Sequence, residues 1–193
     1  MHNLHECIHD ATRVGFGFLE KDYGFTCAED DCNRVRFDSG RVFVQVVYDA
    51  TRSFEVTVEM GQPDCEGPPY NFAEFLRAFA VADHLELSAV QAADVVVARK
   101  FVERFAEVLQ RHGTAVMRGD EEGFRKLQAQ RNSDCNAYER ERRLERGTSV
   151  AERAWNDGDY GGVVAALTPV EGDLSAAQRK KLELARKRSL LAD

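Results

Sequence analysis

Three strand-like runs lie between Arg34 and Met60, and only short turn signals separate them. Arg34-Val35-Arg36-Phe37-Asp38 alternates apolar and polar residues, and Ser39-Gly40 follows as a turn. Arg41 to Tyr48 places Val42, Val44, Val46 and Tyr48 on one face and Phe43 and Val47 on the other, which suits a central strand. After a turn at Asp49 to Arg52, Ser53 to Met60 alternates again. Phe54, Val56, Val58 and Met60 are expected to point inward, and Ser53, Glu55, Thr57 and Glu59 outward. Connections this short cannot hold a parallel crossover, so the expectation is an antiparallel meander. Phe25 to Ala28 would add a short first strand.

Helical spacing surrounds these strands. Leu4 to Lys21 reads as one amphipathic helix with Leu4, Ile8, Ala11, Gly15, Phe18 and Leu19 on one side, stopped by Gly24. After a proline-rich loop from Gly61 to Pro69, Asn71 with Glu74 three residues later forms a capping-box pattern that opens a helix to about Val81. Ser88 is expected to open a longer helix to about His112, with Val90, Val97, Phe101, Phe105 and Val108 as its stripe and Gly113 as its end. Gly119-Asp120 begins a polar helix to about Arg146, with a thin seam of Phe124, Leu127, Cys135 and Tyr138, and Gly147 is expected to end it. In the tail, Ala151, Ala154 and Trp155 precede Gly158-Asp159-Tyr160. Val163, Val164, Ala166, Leu167 and Pro169 follow, and Ser175 caps a last helix carrying Leu182 and Ala185. Small residues on both sides of a Gly turn resemble a tetratricopeptide helical hairpin with a capping helix.

The predicted class is therefore α+β: an N-terminal helix and antiparallel meander, then a helical C-terminal half. Three segments are expected: an acidic α+β unit at 1–82, long helices packing on it at 83–146, and the hairpin at 147–193. Charge divides along the same line, with 14 Asp/Glu against 7 Lys/Arg in residues 1–81 and 19 of each in residues 82–193. A net charge of −7 argues against nucleic acid, whose phosphates need a basic surface. The basic residues from Arg140 to Arg146 alternate with Glu139, Glu141 and Glu145, as on a solvated helix face. No run of about 18 apolar residues suggests a membrane span, and the opening residues lack a signal-peptide pattern, so a cytoplasmic protein is expected. Five cysteines without a Cys-x-x-Cys pair read as free thiols.

Chemistry-bearing motifs are sparse. His5-Glu6-Cys7-Ile8-His9 matches H-E-x-x-H, in which His5 and His9 could share a zinc ion with Glu6 as general base. The extended metzincin continuation is missing, because Thr12 stands in place of its Gly and Gly15 in place of its third His. Cys27 and Cys32 beside Asp30 and Asp31 lack a neighbouring His. Glu55 and Glu59 lie roughly 13 Å apart along one strand, too far for a glycosidase pair. No catalytic residue, metal or cofactor is assigned, and the expected function is binding.

Several local patterns together resemble a family of small uncharacterised bacterial proteins. They are Phe18-Leu19 before Tyr23-Gly24-Phe25, Tyr48-Asp49 before Arg52-Ser53-Phe54-Glu55-Val56, Val116-Met117-Arg118-Gly119-Asp120, and Trp155 with Asp159-Tyr160. In size, charge and architecture the chain also looks like immunity proteins that neutralise bacterial toxins. The resemblance implies a protein partner, such as a cognate toxin, met through an acidic surface. Candidate contact residues are Asp30, Asp31, Asp38, Phe43, Val47, Glu55 and Glu59, with Phe43 and Val47 as an apolar centre inside a polar rim. An adaptor or homodimer built on the C-terminal hairpin is the alternative, and a zinc hydrolase using His5, Glu6 and His9 a further one.

Overall fold

A computed structural model describes residues 4–31, 33–49, 52–81, 86–88 and 90–191. The chain divides into two compact units, residues 1–131 and 132–193. This division differs from the boundaries expected near residues 82 and 146, for two reasons. The helix of residues 95–112 shares one core with the N-terminal helix and the sheet, and the following long helix runs unbroken through Gly147.

In the first unit the expected N-terminal helix is two helices, α1 (Leu4–Gly15) and α2 (Gly17–Tyr23). Phe16 breaks them apart. It leaves helical geometry, at φ −92° and ψ 5°, and its fully buried ring lies 6.3 Å from Phe37. The flanking Gly15 and Gly17 are poor helix formers and permit the break. Gly24 ends α2 in the left-handed region at φ 71°, a conformation that favours glycine.

Four strands follow: β1 (Thr26–Asp30), β2 (Arg34–Asp38), β3 (Phe43–Tyr48) and β4 (Glu55–Gly61). They form the expected antiparallel meander in the order β1-β2-β3-β4. Two short strands, β5 (Tyr70–Asn71) and β6 (Val90–Gln91), share the far edge of β4. They pair with it at Glu59–Met60 and at Glu55–Val56. Strand alternation sends Val35, Phe37, Val44, Val46, Tyr48, Val56, Val58 and Met60 into one core with Ile8, Leu19, Phe72, Phe105 and Leu109. Phe54 departs from the expected inward stripe. It precedes the strand at φ 53°, is 40% exposed, and accepts the Ala92 N–H through its carbonyl. The turn that leads to it is wound on Asp49, whose carboxylate accepts from Arg52 N, Ser53 N and Ser53 Oγ.

Helix α3 (Phe72–Ala78) carries the capping box read from Asn71 and Glu74. Helix α4 (Val95–His112) starts later than expected, because the cap is Asp94 rather than Ser88. The Asp94 carboxylate accepts from Val96 N and Val97 N, while Val90 is spent in β6. The buried face of α4 is accordingly Ala98, Val102, Phe105 and Leu109, and Val97 is exposed. Gly113 caps α4 as expected, and the short helix α5 (Thr114–Met117) follows.

Helix α6 (Glu121–Asn156) crosses from one unit into the other. Its expected apolar seam holds at Phe124 and Leu127, which are buried, but Cys135 and Tyr138 are exposed. The second unit continues with α7 (Tyr160–Leu167), a 3-10 segment (Thr168–Asp173) and α8 (Ala176–Ser189). Ala151, Val163, Leu167, Leu174, Leu182 and Ala185 form its core. Gly158 makes the turn at φ 77°, Trp155 meets Tyr160 edge-on at 5.5 Å, and Ser175 caps α8. Gly147 does not end a helix. It lets the returning chain come close, since a Cβ there would lie 3.0 Å from the Ala166 carbonyl oxygen and 3.2 Å from Val170.

Gly147→Leu should therefore overpack this contact and lower the stability of the second unit by about 1–3 kcal/mol. Trp155 is the sole tryptophan, so a urea titration followed by its fluorescence reads that unit directly. Glu171 and Arg186 also join in this unit through two bonds of 2.8 and 2.7 Å. The Arg186 bond holds the Glu171 carboxyl below its usual 4.5. Its pair with Arg186 should then stabilise the unit above pH 4.5, with the contribution lost as pH falls through the depressed value. Arg186→Gln should flatten this part of the pH–stability profile.

Candidate protein-binding face and cleft

The sheet face opposite the core is built by the register. Arg34, Val47 and Thr57 form one row across it, Arg36, Gln45, Glu59 and Asn71 the next, and Asp38, Phe43 and Gly61 the third. Phe43 is 8% exposed yet lies outside the core cluster. The side chains of this face supply its cover. The Arg36 guanidinium lies over the Phe43 ring at 3.9 Å, and Gly61 sits beneath the same ring, where a Cβ would come within 2.8 Å. Gln45 is buried and donates Nε2–H to Glu59 at 2.6 Å, while its Oε1 has no hydrogen-bond partner among the described residues.

Charges on the face are partly paired. Arg36 bonds Asp38 at 3.0 Å and Arg34 meets Glu29 at 3.4 Å. Glu55 remains exposed, and Val47, Thr57 and Glu59 are half-buried. Of the seven residues named from the sequence, Asp38, Phe43, Val47, Glu55 and Glu59 thus share this face. Asp38 is committed to Arg36 and to capping the turn at Gly40 N.

Asp30 and Asp31 are placed elsewhere. An irregularity between Cys27 and Glu29 shifts the register so that Glu29 faces Arg36 and Asp30 faces Val35. This puts Asp30 on the helix side of the sheet, where it pairs with His9 and lies 3.9 Å from Arg13. A bulge of this kind swaps the face of every residue beyond it, and simple alternation does not reveal it. Asp31 winds the next turn, accepting from Asn33 N and Arg34 N. His9 of the H-E-x-x-H pattern is therefore engaged by a carboxylate. The side chains of His5 and Glu6, and Cys32, lie outside the described residues. Among the described residues no cluster of three or more His, Cys, Asp or Glu could hold a metal ion. None of the described helices is long and apolar enough to cross a membrane.

Beside Phe43 the face opens into a cleft of about 210 Å³. Its apolar wall is Phe43, Pro63, Pro68, Pro69 and Tyr70, and its polar lining includes Arg36, Glu66, Gln128 and Arg131. Arg131, from the first turns of α6, holds the wall in place. Its Nε and Nη2 fork onto Glu74 at 2.6 and 2.7 Å, Nη1 donates to the Pro68 carbonyl at 2.8 Å, and Nη2 donates to the Pro69 carbonyl at 2.7 Å. The guanidinium also stacks on Tyr70 at 4.0 Å. The Tyr70 hydroxyl donates to Gln128 Oε1 at 2.7 Å, and burial raises its pKa, so it stays a donor. Sequence reading recognised Glu74 as a cap and placed Arg36 in the polar rim around Phe43 and Val47, but missed Arg131 and Tyr70 as site residues. The signal available was thin: Gln128 and Arg131 lie three positions apart, on one side of a helix.

No protein family, curated protein or solved structure was found to match this chain. What the face and cleft can do chemically rests on their own residues. They offer an exposed carboxylate, half-buried apolar side chains, one partly paired guanidinium and a pre-formed recess.

Arg131→Met should leave Glu74, whose side chain is 9% exposed, without its counter-charge. Breaking a buried pair from one side costs about 3 kcal/mol, measurable as a lower urea midpoint by far-UV circular dichroism. A double-mutant cycle with Glu74→Gln should return a coupling of at least about 1 kcal/mol. Additive single effects would show that the fork contributes nothing of its own.

Proposed function

We propose that this chain is a non-enzymatic protein-binding module, most concretely an immunity-type inhibitor that meets a bacterial toxin through the outer face of its sheet. The observation that carries this reading is the uncovered side of β2–β4. The core and the packed helices take the other side of the sheet, leaving Val47, Thr57, Glu55 and Glu59 accessible next to a cleft. An apolar centre with a polar rim is the usual construction of a protein interface. Charge supports the same reading. Residues 1–131 contain 22 Asp/Glu and 15 Lys/Arg, whereas residues 132–193 contain 11 of each, so the first unit carries the entire −7. A basic partner would be steered toward it.

A second reading is an adaptor or a homodimer made through the helical tail. It draws on the apolar residues that the second unit exposes, with Leu184 40%, Leu190 78% and Leu191 87% accessible. Exposed large apolar side chains near one end of a helix are a place for association to begin.

Co-expression with the product of the adjacent gene, scored by growth and co-purification, tests the first reading. Rescue of a toxic neighbour through a stable complex is the expected result, and a harmless neighbour that does not bind would overturn it. Within such a complex, Glu55→Lys should slow association about tenfold at low salt and weaken its salt dependence, because rim charges act mainly on the on-rate. Deletion of residues 157–193 should leave the complex intact. Loss of the complex with the first unit still folded would transfer the function to the tail.

A further inference from the structure

The cleft beside Phe43 has chemistry that the acidic face around it lacks. Arg36 is held in place twice, by its stack on Phe43 and by the single bond from Nη2 to Asp38. Its Nε and Nη1 have no protein partner among the described residues. Its cross-strand neighbour Gln45 leaves Oε1 without a partner among the described residues, so the guanidinium is not turned along the sheet to meet it. The cation instead lines the cleft, with one side committed to the ring and hydrogen-bond capacity left over. Arg131, the other guanidinium of the lining, differs. Its donors are occupied by Glu74, Pro68 and Pro69, and it serves as a wall.

One wall of the lining is apolar and stiff, while Gln62, Cys65, Glu66 and Gln128 complete the remainder. Three prolines and two aromatic rings surround a volume of about 210 Å³. That is smaller than a cofactor or drug-sized site, which needs about 300 Å³ or more, and is suited to one residue. An occupant must therefore join a carboxylate, for the fork of Arg36, to an apolar body, for Pro63, Pro68, Pro69 and Tyr70. Asp and Glu side chains have the first and little of the second. The last residue of a polypeptide, when apolar, carries both on a single Cα.

We propose that this cleft receives the C-terminal residue of a partner chain, its carboxylate on Arg36 and its apolar side chain against the proline–tyrosine wall. The proposal rests on the protein-binding reading of this face and names how a partner is anchored there. Glu66, exposed and part of the lining, repels the incoming carboxylate and weakens binding.

The test is a titration of the full-length protein with two labelled hexapeptides, identical and ending in Gly-Gly-Leu, one with a free carboxylate and one amidated. Binding is followed by fluorescence polarisation and by amide chemical shifts of Phe43, Gly61 and Tyr70. The free-acid peptide should bind below about 1 mM, and amidation should weaken it at least about tenfold, the expected worth of a charge-assisted contact. Arg36→Gln should cause a loss of similar size, and Glu66→Gln a gain of about twofold. Equal binding of the two peptides, or no shifts at these amides up to about 5 mM peptide, would overturn the assignment. A peptide with an internal Asp and an amidated end separates the sources of carboxylate, and its binding as well as the free acid would also overturn it. The amidation comparison needs no altered protein, so a poorly folded Arg36 variant does not blunt the result. Partner capture that survives while the peptides fail removes the cleft assignment alone. Peptide binding that persists without any captured partner removes the toxin reading and leaves the cleft assignment standing.

Discussion

The fork between Arg131 and Glu74 ties together parts of the first unit that share no regular secondary structure. Glu74 is used twice. One oxygen receives the Asn71 N–H and closes the cap of α3, and both oxygens receive Arg131. Arg131 then reaches the Pro68 and Pro69 carbonyls, so a loop too rich in proline to enter the sheet is held by its backbone oxygens. Without this charge pair, α3 would keep its packing through Phe72, Phe75 and Leu76. The loop would lose its anchor, and with it the cleft would lose a wall. A buried ion pair is a costly way to gain stability alone, but here it supplies geometry that apolar packing could not.

The outer face is shaped by a second constraint. Strand β3 is apolar on both sides, yet the helices cover only one. The uncovered side is sealed by long polar side chains laid flat, Arg36 over Phe43 and Glu59 on Gln45. Arginine suits this task, since its planar, weakly hydrated cation can lie on an aromatic ring while its edge still binds an acceptor. Such a cover keeps the strand out of water without closing the face to a partner, as a helix would.

Periodicity made much of the fold legible before any coordinates. The alternation of Arg34–Asp38, the two-sided Arg41–Tyr48 run and the Asn71/Glu74 box all correspond to observed elements. The hairpin around Gly158 does too. Where the reading failed, a local signal met a stronger tertiary one. Phe16 left its helix to be buried against Phe37. Asp94 displaced Ser88 as a cap because Val90 was already paired with Val56. Gly147 looked like a helix stop, but its missing side chain serves close packing inside α6. The acidic surface was legible as composition, not as geometry. A shift in β1 moved Asp30 to the helix side, and nothing in the spacing of charges reports a bulge. Arg131 lies far in the chain from Glu74, Pro68 and Pro69, and no local spacing reports that contact.

The mixed charge of the outer face bears on what it can select. A uniformly acidic surface would attract any basic macromolecule, and its attraction would fade with salt. Here Glu29 and Asp38 are offset by Arg34 and Arg36, which leaves Glu55, Glu59 and Glu66 as the net charge near the recess. For a basic partner, long-range steering would then come from the −7 of the first unit. Discrimination at contact would come from a fixed guanidinium and the stiff wall of prolines and Tyr70. A partner of the kind proposed would have to satisfy both, with a basic surround and an acidic, apolar anchor. A misplaced carboxylate would face Glu55 or Glu59 and a missing one would leave Arg36 unmatched, so each error carries its own cost.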